Sequence, residues 1–397
     1  MKLAFLIADG MGDYPLKELD GRTPLEVANT PNMDKLAKTG KIGLCKTIPE
    51  GMEPGSDIAN MAILGFDPSV YHTGRGPIEA AALKAPVDEN DIIFRMNLVT
   101  VSEFSENGIM IDYSAAHITD KEAKNIISFL KENLEDEAWK IIPGFQYRHL
   151  LIRKNGKNTS LENTKINPPH DILDQSIRND FFTYKNNKPL FDIILRANKI
   201  LKENFPESKA NCIWPWGQGK KLELPDFTKT YGLKGAVISA VDLIKGLGYG
   251  SNMEVIDVEG ATGLVDTNYK GKAEAAIKFL EQNDFVFVHL EGPDECGHAG
   301  DIKSKIKAIE RFDKYIVGPI CNFLEAKKGA CLICCDHLTP VYKRTHVSDP
   351  VPILFINFNA PLNRMNQKFS EIDAKKSGLV IERGENLIKW ILEQITR

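Results

Sequence analysis

The chain has 397 residues, enough for two or three domains at roughly 150 each and for a sizeable core without disulfide or metal staples. Its 43% hydrophobic and 26% charged residues are ordinary globular usage, which excludes a disordered or fibrous chain. Lys+Arg 50 against Asp+Glu 54 gives a net charge of −4, so nothing in the balance calls for nucleic acid, while local fields still allow a small anionic ligand.

The N-terminal MKLAFLIADGMGD holds one Lys and a short apolar run that meets charge and glycine without a small-residue cleavage site. It reads as a first core strand, Leu3 to Ala8, and not as a leader. No apolar stretch approaches the ~18–20 residues of a membrane span, so the expectation is a cytoplasmic protein with no membrane partner. Next, EGMEPGSDIANMAILG puts Ser56 after Pro54-Gly55 and ahead of the helix-like run Ile58 to Leu64. As a structural element Ser56 is an N-cap; as a chemical one it is a hydroxyl at a helix N-terminus, where backbone amides and the dipole favour a phosphate.

From about Asp88 to Pro225 the charge density rises, and RKNGKNTSLENTKINPPHD is polar and turn-rich. Alternating strands are expected at Phe94–Val101 and Tyr147–Arg153, and a helix with Ala123, Ile126, Ile127, Leu130 and Leu134 on one face. This segment, residues 88–224, reads as a smaller α+β unit inserted into a sheet domain formed by 1–87 and 225–397. In the second part, apolar runs Phe285–Leu290, Cys331–Cys335 and Ile353–Ile356 alternate with helical patterns, one with Ala273, Ile277 and Leu280, another with Ile302, Ile306, Ile309, Phe312 and Ile316. Buried strands alternating with helices predict an α/β fold with a parallel sheet covered on both faces. The seven cysteines are odd in number and scattered, which is no disulfide framework; Cys331 and Cys334, though spaced C-x-x-C, sit inside an apolar run and read as a reduced, buried strand.

Ligands of an open parallel sheet gather beyond the C-terminal ends of its strands. Three apolar runs end there in acid: LAFLIAD in Asp9, FVFVHLEGPD in Asp294, and CLICCDH in Asp336 with His337. His298 follows Asp294 by four residues, and His346 precedes the next apolar run. Mixed carboxylate and imidazole groups suit Mn²⁺, Zn²⁺, Co²⁺ or a related divalent ion. His72, His117 and His289 lack such companions and read as structural.

Together, ADGMGD, EGMEPGSDIANMAILGFDP, YHTGRGPIEAAAL, GPDECGHAGD, CCDHLTP and THVSDPVP resemble the cofactor-independent (2,3-bisphosphoglycerate-independent) phosphoglycerate mutases of the archaeal type, in the alkaline phosphatase superfamily. The likeness runs nearly end to end and in one order. It implies an alkaline-phosphatase-like, mostly parallel sheet flanked by helices, an inserted α+β cap, and two divalent ions (Mn, Mg, Co or Zn) with no need for 2,3-bisphosphoglycerate. It implies interconversion of 3- and 2-phosphoglycerate through a phosphorylated Ser56. By motif, Asp9, Ser56, Asp336 and His337 match the ligands of one ion, and Asp294, His298 and His346 those of the other. The cap would supply the substrate contacts Arg148, His149, His170, Asp171 and Lys220, with Trp214, Gly217 and Gly219 in the same stretch as Lys220, and Arg75 near the first hinge. Cys296 stands where the family pattern leads one to expect Ala. A homoserine kinase-like phosphotransferase and a phosphomonoesterase of the same superfamily would share the metal and serine machinery.

Overall fold

A computed structural model of the protein describes residues 1–360 and 365–396. In chain order the strands are β1 (Leu3–Ala8), β2 (Lys41–Cys45), β3 (Ile92–Val101), β4 (Met110–Asp112), β5 (Trp139–Ile142), β6 (Arg148–Arg153), β7 (Cys212–Gly219), β8 (Gly235–Ile238), β9 (Glu254–Val255), β10 (Phe285–Leu290), β11 (Ala330–Cys334), β12 (Val351–Asn357) and β13 (Val380–Ile381). They form two sheets in two compact units, Met1–His72 with Glu223–Arg397, and Thr73–Leu222.

The larger sheet has the order β13-β2-β12-β11-β1-β10-β8-β9. At its centre β11, β1 and β10 run parallel, with Leu3 opposite both Ala330 and Phe285. Every residue of these three strands is buried. Since successive side chains point to opposite faces, that requires cover on both faces, which is why the strands read as unbroken apolar runs rather than alternating ones. β12 breaks the parallel pattern: it lies antiparallel to both β11 and β2. All seven cysteines are buried and unpaired, including Cys331 and Cys334 on β11.

The helix Ile302–Phe312 shows what periodicity alone misses. Ile309 and Phe312 are buried as expected, whereas Ile302 and Ile306 are only half-buried and Lys305 is fully enclosed. Its ammonium lies 2.8 Å from Asp13 Oδ2 and donates to the carbonyls of Gly12 and Thr339. Asp13 in turn accepts from the amides of Tyr14 and Val341. A charge taken out of water survives there because each of its donors meets an oxygen.

The second unit is built on β4-β3-β6-β5, with β7 paired to the other edge of β3. The expected helix, Asp120–Leu134, buries Ala123, Ile126, Ile127, Leu130 and Leu134 as its stripe predicts. They join a core with Phe94, Leu98, Trp214 and Ile194. This unit begins at Thr73, not near residue 88, because the helix Arg75–Ala82 packs on β3. Ala80 joins Ile93, Leu150 and Ile152 in one cluster, and Gly76 lies so close that a Cβ there would meet the Arg95 amide nitrogen at 2.7 Å.

Asp13→Ala, which strands the Lys305 ammonium in the core, is expected to lower the unfolding free energy by about 3–5 kcal/mol. Asp13→Asn combined with Lys305→Met should recover most of that loss in denaturant titrations. A double variant no more stable than Asp13→Ala would show that packing, not the stranded charge, sets the effect.

Candidate metal centre

Because β11, β1 and β10 are parallel neighbours, their C-terminal ends open on one edge, and each delivers an acid there. Asp9 follows β1 directly. Its neighbour Gly10 has φ +60°, and a Cβ on it would meet Asp294 Cα at 2.8 Å; its amide donates to Asp336 Oδ1. A glycine is required at this point because the chain must turn left-handed against two other loops. β10 leads into the helix Gly292–Ala299, whose spacing sets Asp294 and His298 on one face. β11 leads into Asp336 and His337, and the loop after it brings His346.

These residues converge. His298 Nε2 lies 3.3 Å from Asp294 Oδ2, His346 Nε2 3.4 Å from Asp294 Oδ1, and the two Nε2 atoms are 2.9 Å apart. His337 Nε2 lies 3.5 Å from Asp9 Oδ1 and 3.7 Å from Asp336 Oδ2. Ser56, first residue of the helix Ser56–Ile63, holds its Oγ 3.1 Å from His337 Nε2 and 3.5 Å from Asp9 Oδ2. All seven residues singled out from the sequence thus meet on one edge of the sheet.

The far sides of the imidazoles show which way they face. His298 Nδ1 lies 3.0 Å from the Arg344 carbonyl, and His346 Nδ1 3.3 Å from the Pro54 carbonyl. His337 Nδ1 lies 3.2 Å from Thr339 Oγ1, whose own hydrogen goes to Asp294 Oδ1. Each of these partners can only accept, so Nδ1 carries a hydrogen and Nε2 faces inward, where the neutral ring presents a lone pair as a metal-ligating histidine does.

The electrostatics ask for a cation. Asp9, Asp294 and Asp336 are buried, and among the described residues their ion-pair partners are all imidazoles, with no Lys or Arg. Asp9 Oδ1 has no hydrogen-bond partner. Burial, then the carboxylates of Asp336 and Asp294, push the Asp9 carboxyl well above its usual range. Burial also opposes ionisation of Asp294, but hydrogen bonds from His298 and His346 outweigh it and hold that carboxyl well below the usual range. Burial opposes charge on His298 too, yet Asp294 pushes its pKa up to about 9. Two Nε2 atoms 2.9 Å apart beside a buried carboxylate are a site that a divalent ion fits. The groups Asp294, His337, His346 and Asp9, His289, Asp336 each bring three donor atoms within 4.8 Å of one another.

Two participants escaped the sequence reading. Asn60 donates through its amide to Asp336 Oδ2 and to the Ser56 carbonyl, both at 2.8 Å, tying serine to carboxylate. His289, expected to be a satisfied core residue, has no hydrogen-bond partner on Nε2, which lies 3.1 Å from Asp9 Oδ2. The apolar run FVFVHL around it carries no signal of that role.

In the inserted unit, Arg75 and Arg95 lie over Trp216 at 5.7 and 5.1 Å and share Glu79. His170 meets the same indole edge-on at 5.4 Å, and Tyr113 joins His170 to Tyr147, over which Arg148 lies. Arg75, Arg148 and His170 are thereby linked through aromatic rings, and Arg95, Glu79 and Trp216 are additions to the predicted set. His149 is buried, its Nε2 is unpartnered, and burial lowers its pKa to about 3. The Lys220 ammonium is paired with Glu162. Asp171 follows His170, 3.7 Å from its ring. Trp214 belongs to the core: it is fully buried against Tyr184 and donates to the Asn167 carbonyl. Gly217 adopts φ +57° beside Arg75, and Gly219 is pressed against the Thr73 carbonyl, so both shape backbone.

The metalloenzyme superfamily profile matches residues 1–379. The 2,3-bisphosphoglycerate-independent phosphoglycerate mutase of Methanothrix thermoacetophila is 44% identical, over 99% of this chain and 100% of its own length. The chain belongs to the 2,3-bisphosphoglycerate-independent phosphoglycerate mutase family. The Methanosarcina barkeri mutase is 45% identical over 98% of both chains. A solved structure from Pyrococcus horikoshii superposes with a TM-score of 0.82 at 29% identity, covering 100% of this chain and 97% of that one. Within the mutase family, then, this chain has the carboxylate and imidazole set, the serine and the fold together.

With a folded pKa of about 9 against 6.5 for a free imidazole, His298 contributes stability that is complete below about pH 6.5 and lost as pH rises through 9. Chelator-treated protein should become easier to unfold with denaturant across that window, and His298→Gln should flatten this part of the profile. An unchanged profile in that variant would assign the pH dependence to another group.

Proposed function

We propose that the chain interconverts 3-phosphoglycerate and 2-phosphoglycerate without 2,3-bisphosphoglycerate, with Ser56 carrying the phosphoryl group between two transfers. The observation that carries this reading is the position of Ser56 Oγ, 3.1 Å from His337 and 3.5 Å from Asp9, at the N-terminus of a helix and beside a cation-demanding cluster. The relatives' names supply the substrate. Asp9, Ser56, Asp336 and His337 would hold one ion and Asp294, His298 and His346 the other, and the donor types suit Mn, Mg, Co or Zn. When bound, such ions offset charge on phosphoryl oxygens and make a hydroxyl acidic enough to attack.

The chain's own residues do the rest. Ser56 Oγ forms a bond to phosphorus as the ester oxygen of glycerate leaves, and the proton Ser56 gives up is matched by the one that oxygen gains. The other glycerate hydroxyl then takes the phosphoryl group back, and both changes reverse. Asn60 fixes the Ser56 carbonyl against Asp336, which keeps the nucleophile in register with the acids. First-turn amides of Ser56–Ile63 have no intrahelical acceptor and favour an incoming anion. Arg75, Arg148 and His170, with Arg95 and Trp216 behind them, suit the carboxylate of a glycerate; the remaining predicted contacts are His149, Asp171 and Lys220. Among the described residues no helix is long and apolar enough to cross a membrane, and we place this chemistry in the cytoplasm.

Protein loaded with Mn²⁺ and given 3-phosphoglycerate should yield 2-phosphoglycerate with no free phosphate. Free phosphate alone would make it a phosphomonoesterase. Neither product, with transfer from a nucleotide to homoserine, would make it a kinase. Ser56→Ala is expected to lose about 10³-fold or more in kcat with an unchanged melting temperature. Full activity in that variant would remove Ser56 from the scheme.

A further inference from the structure

Three of the four histidines on the acidic edge of the sheet are anchored by acceptors. His289 is not. Its Nδ1 lies 3.3 Å from Ser239 Oγ, and that oxygen already accepts the Val241 amide hydrogen at 3.0 Å. Ser239 is buried, and the hydroxyl has no other acceptor among the described residues. A buried O–H without an acceptor is costly, so its hydrogen goes to His289 Nδ1. A neutral ring whose Nδ1 accepts must carry its hydrogen on Nε2, and Nε2 lies 3.1 Å from Asp9 Oδ2.

We infer that His289 is a positioning residue for Asp9: held in its Nε2–H tautomer by Ser239, it sets an N–H 3.1 Å from Asp9 Oδ2 and leaves Oδ1 for the ion. The inference rests on the metal reading given above and deepens it. When neutral, the imidazoles of His298, His337 and His346, anchored through Nδ1, offer Nε2 lone pairs inward, whereas this one offers a hydrogen. That polarity suits a group behind a ligand. In the present geometry the Nε2 hydrogen is not aligned as a hydrogen bond to Asp9. The contact therefore acts through the nearness of the N–H dipole to Oδ2 and not as a hydrogen bond, which still biases which oxygen faces the cluster. The backbone supports this placement. His289 pairs with Ile7 across β1 and β10, the Asp9 amide donates to the Leu290 carbonyl, and the buried Lys272 ammonium donates to the His289 carbonyl. Ring and carboxylate are thus fixed on adjacent strands, and a change at residue 289 is felt at Asp9 without moving the sheet.

The test measures Mn²⁺ binding to chelator-stripped protein by electron paramagnetic resonance, which reads free ion and needs no turnover. Wild type should bind two ions. His289→Leu should weaken one of them by about 10–100-fold, the usual cost of losing a group behind a ligand, and leave the other unchanged. His289→Gln, which keeps an N–H donor near the same place, should stay within about threefold of wild type. Ser239→Ala, which frees the tautomer without altering the ring, should fall between the two. Melting temperatures of the stripped variants serve as the folding control. Unchanged affinity in His289→Leu would overturn the inference, as would His289→Gln as weak as His289→Leu, which would make the ring nitrogen itself a ligand. A wild-type protein that bound no Mn²⁺ would instead sink the metal reading on which the inference stands.

Discussion

Three carboxylates buried side by side, with no lysine or arginine among their ion-pair partners in the described residues, are the constraint on which the rest of the structure depends. Asp9, Asp294 and Asp336 repel one another, and burial makes each charge more expensive. The surrounding hydrogen bonds relieve this in part: Asp336 takes the amides of Gly10 and His337 and the side chain of Asn60, and Asp294 takes the Thr339 hydroxyl. Asp9 receives the least, and one of its oxygens receives nothing. The imbalance is what a cation corrects, and it accounts for the imidazoles being anchored from behind.

The sheet explains why such a cluster exists at all. β11, β1 and β10 are adjacent and parallel, so acids placed one residue or a few past each strand end cannot avoid one another. Enclosing these strands on both faces makes the scaffold stiff. The loops that follow are free to carry polar groups because the strands beneath them need none. Lys305, reaching under Gly12 and Thr339, ties two of these loops from below with a charge of its own, at the cost of desolvating it.

Much of this was legible in the sequence because apolar runs mark buried strands, and residues just past them fall on one edge. Asp9, Asp294, Asp336 and His337 follow from that rule, and His298 from its four-residue spacing. Ser56 was visible as a helix start. Strand direction was not: the antiparallel β12 has the same apolar run as its parallel neighbours, since burial on both faces carries no sign of direction. His289 was hidden within such a run, and Lys305 within an otherwise plain amphipathic stripe. Their partners, Ser239 and Asp13, lie far away in sequence, and nothing local announces them. The start of the inserted unit was misplaced because the short helix Arg75–Ala82 looks like a continuation of what precedes it; only its packing on β3 shows where it belongs. Trp214 and Trp216, two residues apart on β7, share a face and one buried cluster, so no composition argument distinguishes the ring that packs on Tyr184 from the one beneath the arginines.

The pairing of Leu3 with Phe285 has a consequence for biosynthesis. Among the strands of its sheet β1 is synthesised first, yet its partners β10 and β11 are made about 280 and about 330 residues later. The contiguous stretch Thr73–Leu222 is complete well before that and has a core of its own. An apolar hexapeptide must therefore wait, unpaired and prone to aggregate, until most of the polypeptide has been translated. Closing so long a loop is also slow, so the nascent chain's most exposed interval falls between synthesis of its first strand and arrival of the two that flank it.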